Sequence, residues 1–112
     1  MLINKAILPI AGLGTRFLPI TKVIPKEMMP INGVPILQLL IEEAYKAGVH
    51  EFVLVINRQK ESIIRKYLSR EGKNEKLDRL NKLLDDVKIE YVYQDEQLGD
   101  GHALLQARES VE

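Results

Sequence analysis

Gly12 and Gly14 stand two apart in the run Ala11-Gly12-Leu13-Gly14-Thr15-Arg16, directly behind an apolar segment. Glycines at such a place let backbone N–H groups approach an anion with no side chain in the way. Between Pro9 and Pro30 the chain carries three cations, Arg16, Lys22 and Lys26, against one acid, Glu27. The chemistry open to this grouping is to hold and neutralise a phosphate. The loop is not the dinucleotide fingerprint, because Phe17 occupies the third glycine position, and not a P-loop, because no Gly-Lys-Ser/Thr follows. Pro19 argues against an immediate helix, so a helix dipole contributes little and the cationic side chains must supply more. Taken alone, the glycines are equally compatible with a plain turn and the cations with a solvated basic loop.

A second loop begins at Gln94 and carries Gly99 and Gly101. Its acids, Asp95, Glu96 and Asp100, read as a solvated acidic loop, and no metal ligand is assigned among them. His102 reads as a helix-start or packing residue and His50 as structural.

The elements that must position these loops alternate. Residues 3 to 10 form a mostly apolar run ending at Gly12, which suits a strand buried on both faces. From Gly12 to Pro35 the prolines at 19, 25, 30 and 35 forbid a long helix, leaving a long structured loop of the kind that is usually functional. Ile36, Leu37, Leu40, Ile41 and Ala44 recur at helical spacing, with Pro35 suited to the first helical position and Gly48 as a stop. Phe52 to Ile56 reads as a strand. Gln59 to Arg70 reads as a helix with Ile63, Ile64, Tyr67 and Leu68 on one face. Leu77, Leu80, Leu83 and Leu84 mark a further helix whose leucines read as core packing; Lys88 to Gln94 returns to a strand, and Gly101 to Arg108 opens a last helix. This order predicts an α/β fold, a Rossmann-like, mostly parallel sheet with flanking helices and functional loops at the carboxyl ends of the strands.

A chain of 112 residues has room for one domain, residues 1–112, with a real core. Hydrophobic residues make up 46% and charged residues 29%, so the chain should fold. Sixteen Lys and Arg balance sixteen Asp and Glu, so no global field draws it to nucleic acid or to an acidic membrane, and any anion site must be local. The absence of cysteine removes disulfides, thiolate nucleophiles and zinc-thiolate sites, and a cytoplasmic setting is the simplest fit. No apolar stretch approaches about 18 residues, and no signal-peptide pattern opens the chain.

The run from Gly12 through Gly14-Thr15-Arg16, Pro19, Thr21-Lys22 and Pro25-Lys26-Glu27-Met28-Met29-Pro30 resembles the signature of the nucleoside-triphosphate sugar-1-phosphate nucleotidyltransferases, in its bacterial UTP–glucose-1-phosphate uridylyltransferase form. The segment Pro25 to Pro30 separates it from thymidylyltransferase relatives, which more often show Ser-Lys-Gln there. Gln94, Gly99 and Gly101-His102-Ala103 resemble the same form's second motif. The departures are Ile10 for the usual Ala, and Gly33-Val34-Pro35 for Asp-Lys-Pro.

The resemblance implies a reaction of UTP with glucose-1-phosphate that gives UDP-glucose and pyrophosphate. Ala11 and Gly12 would meet the nucleoside, Gly14, Thr15 and Arg16 the triphosphate, and Lys26 would bridge phosphates. Glu27, Gln94 and Gly99 would lie against uracil or ribose. Arg16 and Lys26 would act catalytically as electrostatic stabilisers of the triphosphate and the leaving group, in chemistry that needs positioning and charge neutralisation and no side-chain nucleophile. Mg2+ would complete the site, with its ligands expected beyond Glu112. The family's metal aspartate and sugar-binding residues would follow later, so the fold is expected to be incomplete in this chain. Residues 1–112, as the UTP-binding N-terminal part, are then expected to be inactive alone and to form a homo-oligomer through an exposed strand edge. Two further readings stay open, a noncatalytic nucleotide-binding or regulatory module and a nucleotidyltransferase for another base or sugar.

Overall fold

The computed structural model describes residues 4–12, 14–70, 72 and 74–94. The apolar run at the start becomes strand β1, Lys5–Pro9. The proline-spaced segment after it forms no long helix. It makes three short 3-10 turns, Thr15–Phe17, Ile20–Lys22 and Lys26–Met28, with a cis peptide between Leu18 and Pro19. It then closes in a small hairpin within the segment expected to be all loop. Strands β2, Pro30–Ile31, and β3, Val34–Pro35, pair antiparallel across Asn32 and Gly33. Both turn residues have positive φ, 51° and 80°, the condition a two-residue hairpin turn sets and Asn-Gly meets at least cost.

Helix α1 runs Ile36–Lys46, one residue later than expected, because Pro35 is extended and serves as the cap. Its stop is as expected. The Gly48 N–H donates to the Tyr45 carbonyl and the Val49 N–H to the Ala44 carbonyl, both at 3.0 Å, with Gly48 at φ 101°. This pair of bonds is a Schellman termination, which only a residue tolerant of positive φ completes without strain. The chain passes directly into β4, Glu51–Ile56, then α2, Glu61–Tyr67, α3, Asp78–Asp86, and β5, Lys88–Tyr93. Residues of the expected last helix, Gly101 to Arg108, lie outside the described residues.

The three longer strands form one parallel sheet in the order β1-β4-β5. Pro9 is level with Val55 and Ile56 with Tyr93, so the carboxyl ends of all three strands reach the same edge. β4 lies in the middle, and Phe52 to Ile56 are each 1% exposed or less. Phe52, Leu54 and Ile56 face a core built with Leu37 and Ile41 of α1, Ile64 of α2 and Leu83 of α3. Val53 and Val55 face the other way, against Ile7 and Val92. The leucines of α3 are core residues as expected, with Leu80 and Leu83 buried. Three expectations fail in detail: β1, expected to be buried on both faces, is only half-buried along Lys5 to Leu8 and exposed at Pro9. Ile63 and Leu40 stand 38% and 45% exposed, because the three helices pack on a single sheet face and each buries a narrower stripe than its apolar spacing would allow.

Candidate functional site

At the carboxyl edge of the sheet, the turns after β1 and β4 and the end of β5 come together. The backbone carries the register past the strand ends. Ile10 N–H donates to the Val55 carbonyl at 2.9 Å, and Gln94 N–H to the Ile56 carbonyl at 2.8 Å. Ala11 and Gln94 therefore stand on either side of the β4 end, about 9–10 Å apart by ordinary strand spacing. Both are buried, each 4% exposed.

The glycine loop is shaped by polar contacts. Gly14 has φ 65°, and its carbonyl accepts from the Thr21 hydroxyl at 2.6 Å and from the Phe17 N–H at 3.0 Å. A Cβ on Gly14 would lie 3.1 Å from Thr21 Cγ2, so both conformation and space favour glycine there. A Cβ on Gly12 would lie 3.6 Å from Lys26 Nζ. The Lys26 ammonium thus sits over the Gly12 backbone, so that glycine and cation meet there. Arg16 and Lys22 are exposed on the same loop, and the Thr15 backbone lies in its first 3-10 turn.

Glu27 points elsewhere. It is 5% exposed, and its Oε1 accepts from Lys60 Nζ at 2.8 Å. Its other oxygen is 4.0 Å from Lys26 Nζ. Lys60 also donates to the Ile10 carbonyl at 2.7 Å. Burial pushes the Lys60 pKa below the ordinary lysine value; the hydrogen bond and charge of Glu27 oppose that, and the Lys26 charge adds to it. Beside it, Asn57 Nδ2 donates to the Ala11 carbonyl at 2.8 Å while its Oδ1 accepts the Lys60 N–H at 2.9 Å.

Ala11, Gly12 and Gly14 share one loop with Lys26, whose ammonium reaches back over Gly12, and Gln94 stands at the same edge. Gly99 and His102 lie outside the described residues. Asn57 and Lys60 were not singled out in the sequence, where Lys60 read as part of a helix beginning at Gln59. The available signal was their place: polar residues just after a continuously apolar strand sit at the edge where such folds bind ligands. Among the described residues, no group of three or more His, Cys, Asp or Glu could hold a metal ion. His50 lies at the far end of β4, edge-on to Tyr45, with Nδ1 3.2 Å from the Asp86 carbonyl oxygen.

Known proteins resemble this chain in sequence and in fold. The chain is 42% identical over 97% of its length to a UTP–glucose-1-phosphate uridylyltransferase of Staphylococcus haemolyticus, and 41% identical to a second such protein of Staphylococcus saprophyticus. It spans 41% of the length of each. Among solved structures, a UDP-glucose pyrophosphorylase complexed with UDP-glucose superposes with a TM-score of 0.88 at 39% identity, covering 97% of this chain and 42% of the other. A UTP-bound enzyme of the same kind from Acinetobacter baumannii superposes at 0.84 with 38% identity, over 97% and 42%. The family described as nucleotidyl transferase matches residues 5–112, and the chain belongs to that family.

Proposed function

We propose that residues 1–112 are the UTP-binding N-terminal part of an enzyme that joins UTP to glucose-1-phosphate, releasing pyrophosphate. The observation that carries this is the placing of the Lys26 ammonium over the Gly12 backbone at the carboxyl edge of a parallel sheet. Relatives named for this reaction, and a relative solved with UTP bound, support the same reading.

In this reading Ala11 and Gly12 meet the nucleoside, and Gly14, Thr15 and Arg16 the triphosphate. Lys26 bridges phosphates. Arg16 and Lys26 stabilise charge that develops as a phosphate oxygen of the sugar phosphate attacks the α-phosphorus in line and pyrophosphate leaves. Gln94, at the end of β5, reads the base with its amide, and the family motif assigns Gly99 to the uracil or ribose. Glu27, expected against uracil or ribose, has its carboxylate committed to Lys60, so it acts on the nucleotide through the loop. Mg2+ would accompany UTP; among the described residues, no group of three or more His, Cys, Asp or Glu could hold it. Self-association, supported by the outer position of β1 among the described strands, and a cytoplasmic setting belong to the same proposal.

Titration calorimetry with UTP, CTP and TTP tests the reading. Arg16→Ala and Lys26→Ala are each expected to weaken UTP binding by about 1.5–3 kcal/mol, the worth of charge-assisted contacts. Gln94→Ala should reduce the preference for UTP over CTP and TTP more than it reduces triphosphate affinity as a whole, since phosphate contacts do not read a base. Unchanged UTP affinity in both cation variants would overturn the cradle.

A further inference from the structure

A lysine that is 6% exposed must satisfy its charge within the fold, because a buried ammonium without partners is strongly unfavourable. Lys60 finds both of its partners on the loop that follows β1. The Ile10 carbonyl, at 2.7 Å, immediately precedes Ala11, where the loop departs from the sheet. Glu27, at 2.8 Å, is the neighbour of Lys26, where the loop returns. One ammonium therefore ties the start of the glycine turn to the segment that carries the phosphate-facing cation. Asn57 reinforces the tie by holding the Ala11 carbonyl and the Lys60 N–H together.

The charges matter as much as the tether. Glu27 Oε2 is 4.0 Å from Lys26 Nζ, a distance at which attraction exists but no tight pair has formed. With Lys60 present, the buried carboxylate has a full counter-ion. Without it, Lys26 is the nearest cation on the loop and would be drawn down to neutralise Glu27, leaving the Gly12 backbone and losing its charge to the pair.

We propose that Lys60 is a positioning residue of the nucleotide site, which fixes the loop from the β4 end and, by neutralising Glu27, leaves the Lys26 charge available to the triphosphate. The inference rests on the reading of this loop as the UTP site, and it assigns Lys60 no contact with the nucleotide.

Amide hydrogen exchange and MgUTP titration on the full chain test it with Lys60→Met, Glu27→Gln, the Lys60→Met/Glu27→Gln double variant, and Lys26→Ala as a separate control. Lys60→Met is expected to speed exchange over residues 10–28 while β4 stays protected, and to weaken MgUTP tenfold or more. The double variant, which removes the charge that would capture Lys26, should regain at least threefold of that loss although it restores no tether. Should Lys60→Met fail to fold, Glu27→Gln alone is expected to speed exchange over the same residues. Unchanged loop exchange in the folded variants, or equal loss of protection in β4, overturns the tether. Failure of the double variant to regain affinity overturns the charge role. If Lys26→Ala binds MgUTP as tightly as the parent, the UTP reading itself is wrong, and the exchange comparison still decides whether Lys60 holds the loop.

Discussion

The β4 core and the loop from Gly12 to Met29 are held in place by different forces. In β4 every side chain from Phe52 to Ile56 is buried against helix or strand neighbours, and its geometry follows from removing apolar surface from water. The loop does the reverse. Phe17, Leu18 and Val23 stand 52%, 56% and 70% exposed, while its course is fixed by a few polar bonds from Thr21, Asn57 and Lys60. Apolar packing is tolerant of detail and strong in sum; a hydrogen bond sets position to a few tenths of an ångström and contributes little net stability. The proposed UTP site, which would have to align phosphates, is served by the second kind of support, mounted on the first.

The sharpest test of this contrast is Leu54→Ala. Leu54 is fully buried at the centre of the larger cluster, and the substitution should cost about 3–5 kcal/mol from lost burial and an unfilled cavity. For a small domain that is a large part of the total. Urea denaturation should show the loss directly. A cost below about 1 kcal/mol would mean that the sheet does not depend on β4 as its burial implies.

Gly14→Ala should act on the other side of the contrast and with a smaller effect on stability, about 1–2 kcal/mol. The backbone at φ 65° disfavours any Cβ, and the added carbon would press against Thr21 at 3.1 Å. The Thr21 hydroxyl bond to the Gly14 carbonyl would be displaced with it, so exchange of the neighbouring amides should rise while β4 is unaffected. A variant as stable as the parent, with an unmoved loop, would show that the turn does not need glycine.

How far the sequence discloses each region follows from the same difference. The parallel strands and the helices among the described residues were legible because apolar periodicity and caps report burial directly; Gly48 and the run at 52–56 are plain examples. The glycine turn and its cations were legible as local groupings. What joins them was not. The Lys60 bond to Ile10 spans fifty positions and the Asn57 bond to Ala11 spans forty-six, and no local pattern encodes contacts made only when two parallel strands bring their ends together. Ile63 was misplaced for a related reason: helical spacing marks which residues could be buried, while the neighbouring helices decide which are.

The smallest effect is expected for Arg79→Ala, and it completes the contrast because Arg79 and Lys60 make chemically similar pairs in opposite surroundings. Arg79 bridges α3 to α1 through two bonds of 2.6 Å to the Glu42 carboxylate, a better geometry than the single bond of Lys60 to Glu27. Its side chain is 57% exposed, against 8% for Lys60. Water screens the first pair and solvates the Arg79 guanidinium, so its loss should have only a small effect on stability, one that falls further at high salt. Removing Lys60 leaves a buried carboxylate whose remaining cationic neighbour on the loop, Lys26, stands 4.0 Å away. Thermal denaturation of the two variants at low and high salt makes the comparison, and a large, salt-independent cost for Arg79→Ala would show that exposed polar contacts hold the fold as firmly as buried ones hold the loop. With the geometry favouring Arg79 and the burial favouring Lys60, the outcome decides which of the two sets the strength of a charged contact in this chain.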